Sequence, residues 1–197
     1  MMSPVTRLPE IVERLRRRDP AVLRQVVEEN ARKLYRAARG MGLSSDRADD
    51  LTQEVFVTFL KTLERFEGRS EVSTWLFGIL YRKVHEQRRS VARDEMNDPI
   101  DEAFDARFDQ AGNWIRPLAS PDQLTASVQI GESLRACLAD LPPLQRDVFQ
   151  LRQVAELSAA EVATMLDRTV THVGVLFHRA RLRLQQCLEK RGWSPAS

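Results

Sequence analysis

An all-α protein built from two small helical domains and an acidic flexible linker is what this sequence predicts, and three observations carry the expectation. Glycine is scarce, 8 residues in 197, in a chain rich in Ala, Leu, Arg and Glu, residues that lose little side-chain freedom in a helix. Apolar residues recur at helical spacing over two long stretches, about 20–93 and 124–191. Between these stretches the periodicity stops, and Asp94, Glu95, Asp98, Asp101, Glu102, Asp105 and Asp109 crowd in with Pro99, Pro117 and Pro121, the composition of a tether that buries no core.

The first domain, 1–93, should contain three main helices, broken at Gly40 to Ser45 and at Phe66 to Ser73. Val22, Val26, Val27, Leu34 and Ala38 stripe the first helix. Leu51, Val55, Phe56, Phe59, Leu60 and Leu63 stripe the second, and Trp75, Leu76, Ile79, Leu80 and Val84 the third. Trp75, at the start of an apolar helix, is read as core. The linker spans 94–123, and Trp114 within it is expected to find a docking place on a partner, because an aromatic side chain is costly to leave in water.

The second domain, 124–197, carries the sharper local signals. Pro142 and Pro143 start a helix after Leu141. Ser158-Ala-Ala-Glu161 is a capping box, which sets a helix start at Ser158 and a short helix over Ala159 to Leu166. Asp167-Arg168-Thr169 breaks it, and Thr169 caps a longer helix on which Val173, Phe177, Ala180 and Leu184 share one face. Short helix, tight turn and longer helix make a helix-turn-helix, the alternative being an ordinary helical hairpin. Arginines favour the first: Arg179 and Arg183 lie on one side of the second helix, suited to phosphates once Thr171 and His172 enter a major groove.

Charge and composition exclude several classes. The formal net charge is +2, unevenly spread: arginines crowd Arg14 to Arg39, Arg82 to Arg93 and Arg168 to Arg191, on either side of the acidic connector. No apolar run approaches the roughly 20 residues that span a bilayer, and Met1 to Arg18, interrupted by Pro4, Pro9 and arginines, lacks a signal core. A cytoplasmic protein without membrane insertion is expected. Cys137 and Cys187 fit neither a disulfide framework nor a zinc site by their spacing and are read as buried or idle thiols. His85, His172 and His178 have no carboxylate or cysteine sets at ligand or triad spacing, and no Gly-rich phosphate loop appears. No catalysis, metal or cofactor is expected.

The segment Leu138 to Lys190, with LPPLQRDVF, LSAAEVATML and HRARLRL in order, resembles region four of bacterial RNA polymerase sigma factors. Asp46 to Val84, DRADDLTQEVFVTFLKTLERFEGRSEVSTWLFGILYRKV, independently resembles region two. Nothing resembles the region-three domain of larger members, so the chain is similar to the extracytoplasmic-function (ECF) group. The resemblance implies a factor that brings core RNA polymerase to promoter DNA, helps melt it, and is held in check by an anti-sigma factor. Asp49, Asp50, Gln53, Glu54 and Val57, polar groups beside an apolar stripe, are the expected polymerase-docking face. Phe66, Gly68, Arg69, Ser70, Ser73 and Thr74 are expected to line or shape the pocket for a flipped base of the minus-ten element. Arg82, Lys83, Arg88 and Arg89 follow at helical spacing and suit backbone phosphates. Thr169, Thr171, His172, Val175, Arg179 and Arg183 are assigned to the minus-thirty-five element.

This sequence departs from the family pattern in two places. Gly78 and Arg82 stand where members commonly carry Arg and Asn. Gly174, Val175 and Leu176 replace Lys, Ser and Arg, leaving an expected apolar surface that touches thymine methyl groups, packs on protein, or weakens DNA affinity. Two rivals remain at this level, a stand-alone helix-turn-helix regulator that binds DNA as a dimer, and an enzyme or helical scaffold; neither accounts for both modules.

Overall fold

The computed structural model describes residues 4–89 and 128–192, and these separate into two compact helical units. The linker 94–123, with Trp114, and Arg93 lie outside the described residues. The first unit begins with a helix that the periodicity missed, α1 over Pro4–Arg16. Pro4 occupies its first position, where a missing N–H costs nothing, and Val12 and Leu15 are buried. The turn after it holds Arg18 at φ 55°. Arg14 Nε donates to Asp19 Oδ2 at 2.9 Å, and this guanidinium, with the Ala21 amide, holds the Asp19 carboxyl below its ordinary value.

Three helices follow as expected: α2 over Pro20–Gly40, α3 over Ser45–Thr62 and α4 over Val72–Arg89. Ser44 caps α3 by accepting from the Arg47 amide. A single 3-10 turn, Leu63–Arg65, ends α3 before the loop that leads to α4. Leu51, Val55 and Phe59 of α3 are buried, as are Leu76, Leu80 and Val84 of α4 and Val26 and Leu34 of α2. Two residues assigned to apolar stripes lie outside this core. Val27 and Leu60 are exposed, because both sit at the edge of a stripe wider than the face actually covered.

The second unit contains α5 (Val128–Ala139), α6 (Pro143–Gln153), α7 (Ala159–Leu166) and α8 (Val170–Lys190). Here the local signals and the structure coincide. Ser158 accepts from the Glu161 amide at 3.2 Å, while the Glu161 carboxylate accepts from the Ser158 amide at 2.8 Å. Asp167 closes α7 in the left-handed conformation, φ 54°, and Thr169 caps α8 by accepting from the His172 amide at 3.1 Å. Leu138, Leu141, Phe149, Ala180, Leu184 and Leu188 form one buried cluster, and each fully buried leucine contributes about 1.5–3 kcal/mol. The expected effect of Ser158→Ala is a loss of about 1 kcal/mol, read as a lower urea midpoint with an unchanged slope; an unchanged midpoint would show that the box is ornamental.

The reading of the cysteines as unpaired is overturned. Cys137 of α5 and Cys187 of α8 form a disulfide, with Cα atoms 5.8 Å apart and a separation of 50 in sequence. The packing of α5 along the C-terminal half of α8 creates this proximity. Rules based on short cysteine spacing register only partners brought together by a local turn.

Candidate functional site

On α3 the polar residues Asp49, Asp50 and Gln53 are exposed, and Val57 continues the same face at 49% exposure. Leu60, at 36%, extends it by one turn. Two exposed apolar side chains at i and i+3 beside hydrogen-bonding groups form the kind of patch that a partner covers. Leu60 was missed as a surface residue because spacing alone placed it in the core.

Glu54 flanks this face and is the most constrained of the set. Lys83 Nζ of α4 donates to Glu54 Oε2 at 3.0 Å, while Arg47 lies 3.9 Å from the Glu54 carboxylate and 3.8 Å from that of Asp50. Lys83, grouped in sequence with cations for nucleic acid, therefore spends its charge on α3. Arg82 is exposed and its Nε donates to the Gly78 carbonyl at 3.1 Å. Arg88 is partly exposed in the last turn of α4, and Arg89 ends that helix.

The loop from Phe66 to Thr74 is organised from below. Phe66 is 2% exposed, its ring set edge-on to Trp75 with centroids 5.6 Å apart, so Phe66 shapes the loop and presents no face for stacking. Trp75 is half-buried, and its indole Nε1 is shut away without a hydrogen-bond partner. Arg16 of α1 donates to the Phe66 carbonyl at 3.2 Å, a contact across 50 residues for which the sequence carries no signal. Gly68 adopts φ 71°, the left-handed region that a side chain resists. Arg69 is exposed and pairs with Glu67. Ser70 is partly exposed, Ser73 Oγ lies 3.5 Å from the Glu71 carboxylate, and Thr74 is half-buried in the first turn of α4. The upper side of the loop is polar and its underside aromatic.

In the second unit Thr169, Val170 and Thr171 are exposed at the N-terminus of α8, with His172 partly so. Arg179 is partly exposed, and Arg183 donates from Nη1 to Gln145 Oε1 of α6 at 3.0 Å. Phe177 stacks on Phe149 at 6.0 Å, and the guanidiniums of Arg152 and Arg181 lie 5.4 and 5.9 Å from its ring centroid. Burial pulls both arginines below their ordinary pKa. The apolar surface expected at Val175 and Leu176 is absent, since each is 1% exposed. Val175 is accordingly removed from the DNA-contact set. Periodicity along the Val173 stripe registers one covered side of a helix, and residues off that stripe are exposed only where nothing else covers them.

Fold and site thus define an all-α protein of two modules, one presenting an exposed α3 face of mixed polar and apolar side chains and a shaped polar loop, the other a capped helix-turn-helix. Residues 26–94 match the family model for Sigma-70 region 2, and residues 131–184 that for Sigma-70, region 4. The chain is similar to a probable RNA polymerase sigma factor of Haemophilus influenzae, 32% identical over 155 residues that cover 75% of this chain and 79% of that one. It is also similar to the ECF RNA polymerase sigma-E factor of Escherichia coli, 25% identical over 171 residues covering 87% and 88%. The fold matches that of the sigma factor RpoE solved in complex with the anti-sigma factor NepR from Bartonella quintana, with TM-score 0.63 and 22% identity over 84% of this chain and 96% of that one. The chain belongs to the sigma-70 family of RNA polymerase sigma factors, in its extracytoplasmic-function group. Among the described residues no helix is long and apolar enough to cross a membrane.

Proposed function

We propose that this chain is a cytoplasmic initiation factor that carries core RNA polymerase to promoters through two separate readers, and that it makes and breaks no bond itself. The observation that carries the reading is the exposed face of α3, where Val57 and Leu60 lie beside Asp49, Asp50 and Gln53 on a helix fixed to α4 by the Lys83–Glu54 pair. This face docks on the polymerase. Lys83 acts there as a positioning residue, holding Glu54.

The loop at Gly68, Arg69, Ser70, Ser73 and Thr74, supported from beneath by Phe66, receives an unpaired base of the minus-ten element, since an extruded base needs a shaped polar pocket. Arg82, Arg88 and Arg89 hold the adjoining phosphates. In the second module Thr169, Thr171 and His172 meet the minus-thirty-five element in the major groove. Val170 offers apolar contact to a thymine methyl group there, while Arg179 and Arg183 take backbone phosphates. Tethering the two readers, residues 1–93 and 124–197 flanking the linker 94–123, makes the second contact intramolecular and raises its effective concentration. The solved RpoE structure, which holds the anti-sigma factor NepR, supports a similar inhibitor here, one that masks the same faces.

The test is direct: purified protein is mixed with sigma-free core polymerase and a genomic template, and the transcript starts are sequenced. Starts that share upstream elements at two fixed distances are the expected result. An absence of affinity for core polymerase would overturn the reading, whatever the protein's affinity for DNA.

A further inference from the structure

We propose that the Cys137–Cys187 bond is a reversible redox site, opened by a small anionic thiol that enters the basic groove beside it, and that opening it loosens α8. Three features of the structure lead there. Cys137 is buried whereas Cys187 is partly exposed, so the pair offers one accessible sulfur and one protected leaving group. Both cysteines line an open groove of about 460 Å³ whose walls carry Arg183, Lys190 and Arg191 against a single acidic residue, Asp140. Such a groove concentrates an anionic attacker and favours its thiolate. The bond also ties α5 to α8 one helical turn beyond Arg183, the side chain that donates to Gln145.

In the first step the attacking thiolate forms a bond to Cys187 Sγ. The Cys137–Cys187 bond breaks, and the Cys137 thiolate leaves and takes up a proton. A second thiolate then attacks the small-molecule sulfur of the mixed disulfide, so that Cys187 Sγ leaves and takes up a proton and a small-molecule disulfide is released. The protein gains two electrons and two protons, and two thiols become one disulfide. Reduction does not dismantle the domain: Leu138 and Leu141 still pack with Leu184 and Leu188, with Leu134 against them. A bond of this kind in a compartment whose thiol pools keep cysteines reduced is a sensor rather than a permanent staple, and this part of the argument rests on the cytoplasmic reading above.

The test uses the full chain. Air-oxidised protein should show no alkylatable thiol when unfolded, and after dithiothreitol both cysteines should be labelled. Its thermal midpoint should fall on reduction by on the order of 10 °C, while Cys187→Ala should match the reduced wild type and ignore reductant. Glutathione should open the bond several-fold faster than cationic cysteamine at equal thiolate concentration, and Lys190→Gln with Arg191→Gln should erase that preference. Free thiols in the oxidised chain, equal midpoints with and without the bond in the wild type, or no preference for the anionic thiol would overturn the proposal. None of these readouts involves polymerase or DNA, so a failure of the sigma-factor assignment is told apart from a failure of the redox site. Loss of promoter affinity on reduction is the added consequence if both hold.

Discussion

Replacing Val57 and Leu60 together by glutamate should lower affinity for core polymerase about 30-fold or more while leaving the fold in place. Both side chains are exposed on the outer face of α3 and neither belongs to the buried core, so the change removes little packing, and surface substitutions of this kind move stability by about 0.5 kcal/mol. In the proposed interface the same two positions would form the desolvated apolar centre, where truncating one anchor typically costs about 2 kcal/mol or more. Two new carboxylates also have to be buried there without partners. Affinity is read by titrating labelled protein with core polymerase, and thermal unfolding provides the control. Full affinity in a normally folded variant would remove α3 from the docking surface. Charge reversal at Asp50 should act more weakly, because an exposed carboxylate near Arg47 at 3.8 Å contributes little in water.

Phe66→Ala should have the other large effect, and here the loss begins in stability. The ring is buried, packed edge-on against Trp75 under the loop, and its carbonyl is held by Arg16. Deleting such a ring costs about 3–5 kcal/mol through lost burial and the cavity left behind, much of the stability of a small domain. The first unit should unfold at lower urea concentration, and promoter opening, followed by permanganate reactivity of unpaired thymines, should be lost even where closed complexes form. Phe66→Leu should recover most of both. If Phe66→Ala were as stable as the wild type yet unable to open DNA, the ring would have to act on the bases directly, and its burial here would describe another state of the loop.

The sequence was most legible where a structural signal is local. The Ser158–Glu161 box, the break at Asp167 and the cap at Thr169 depend on side chains reaching backbone groups within a turn, and α7 and α8 start where those residues place them. Helical periodicity likewise located α2, α3 and α4. It failed at the edges of stripes, where Leu60 and Val27 turn out exposed, and off the stripe, where Val175 and Leu176 turn out covered. The exposure of Asp49, Asp50, Gln53 and Val57 was readable because an exposed helix face repeats with the period of the helix itself.

By itself, then, the sequence determined α2 to α4 and α6 to α8, the caps at Ser158 and Thr169, the two-module organisation and the family, since each is written in contacts a few residues long or in a run of such contacts. Only the tertiary structure decided that Lys83 reaches Glu54, that Arg16 holds the Phe66 carbonyl, and that Cys137 meets Cys187. Those pairs are 29, 50 and 50 residues apart. Their proximity follows from how whole helices pack, and a one-dimensional pattern of spacings holds no record of which distant turns face each other.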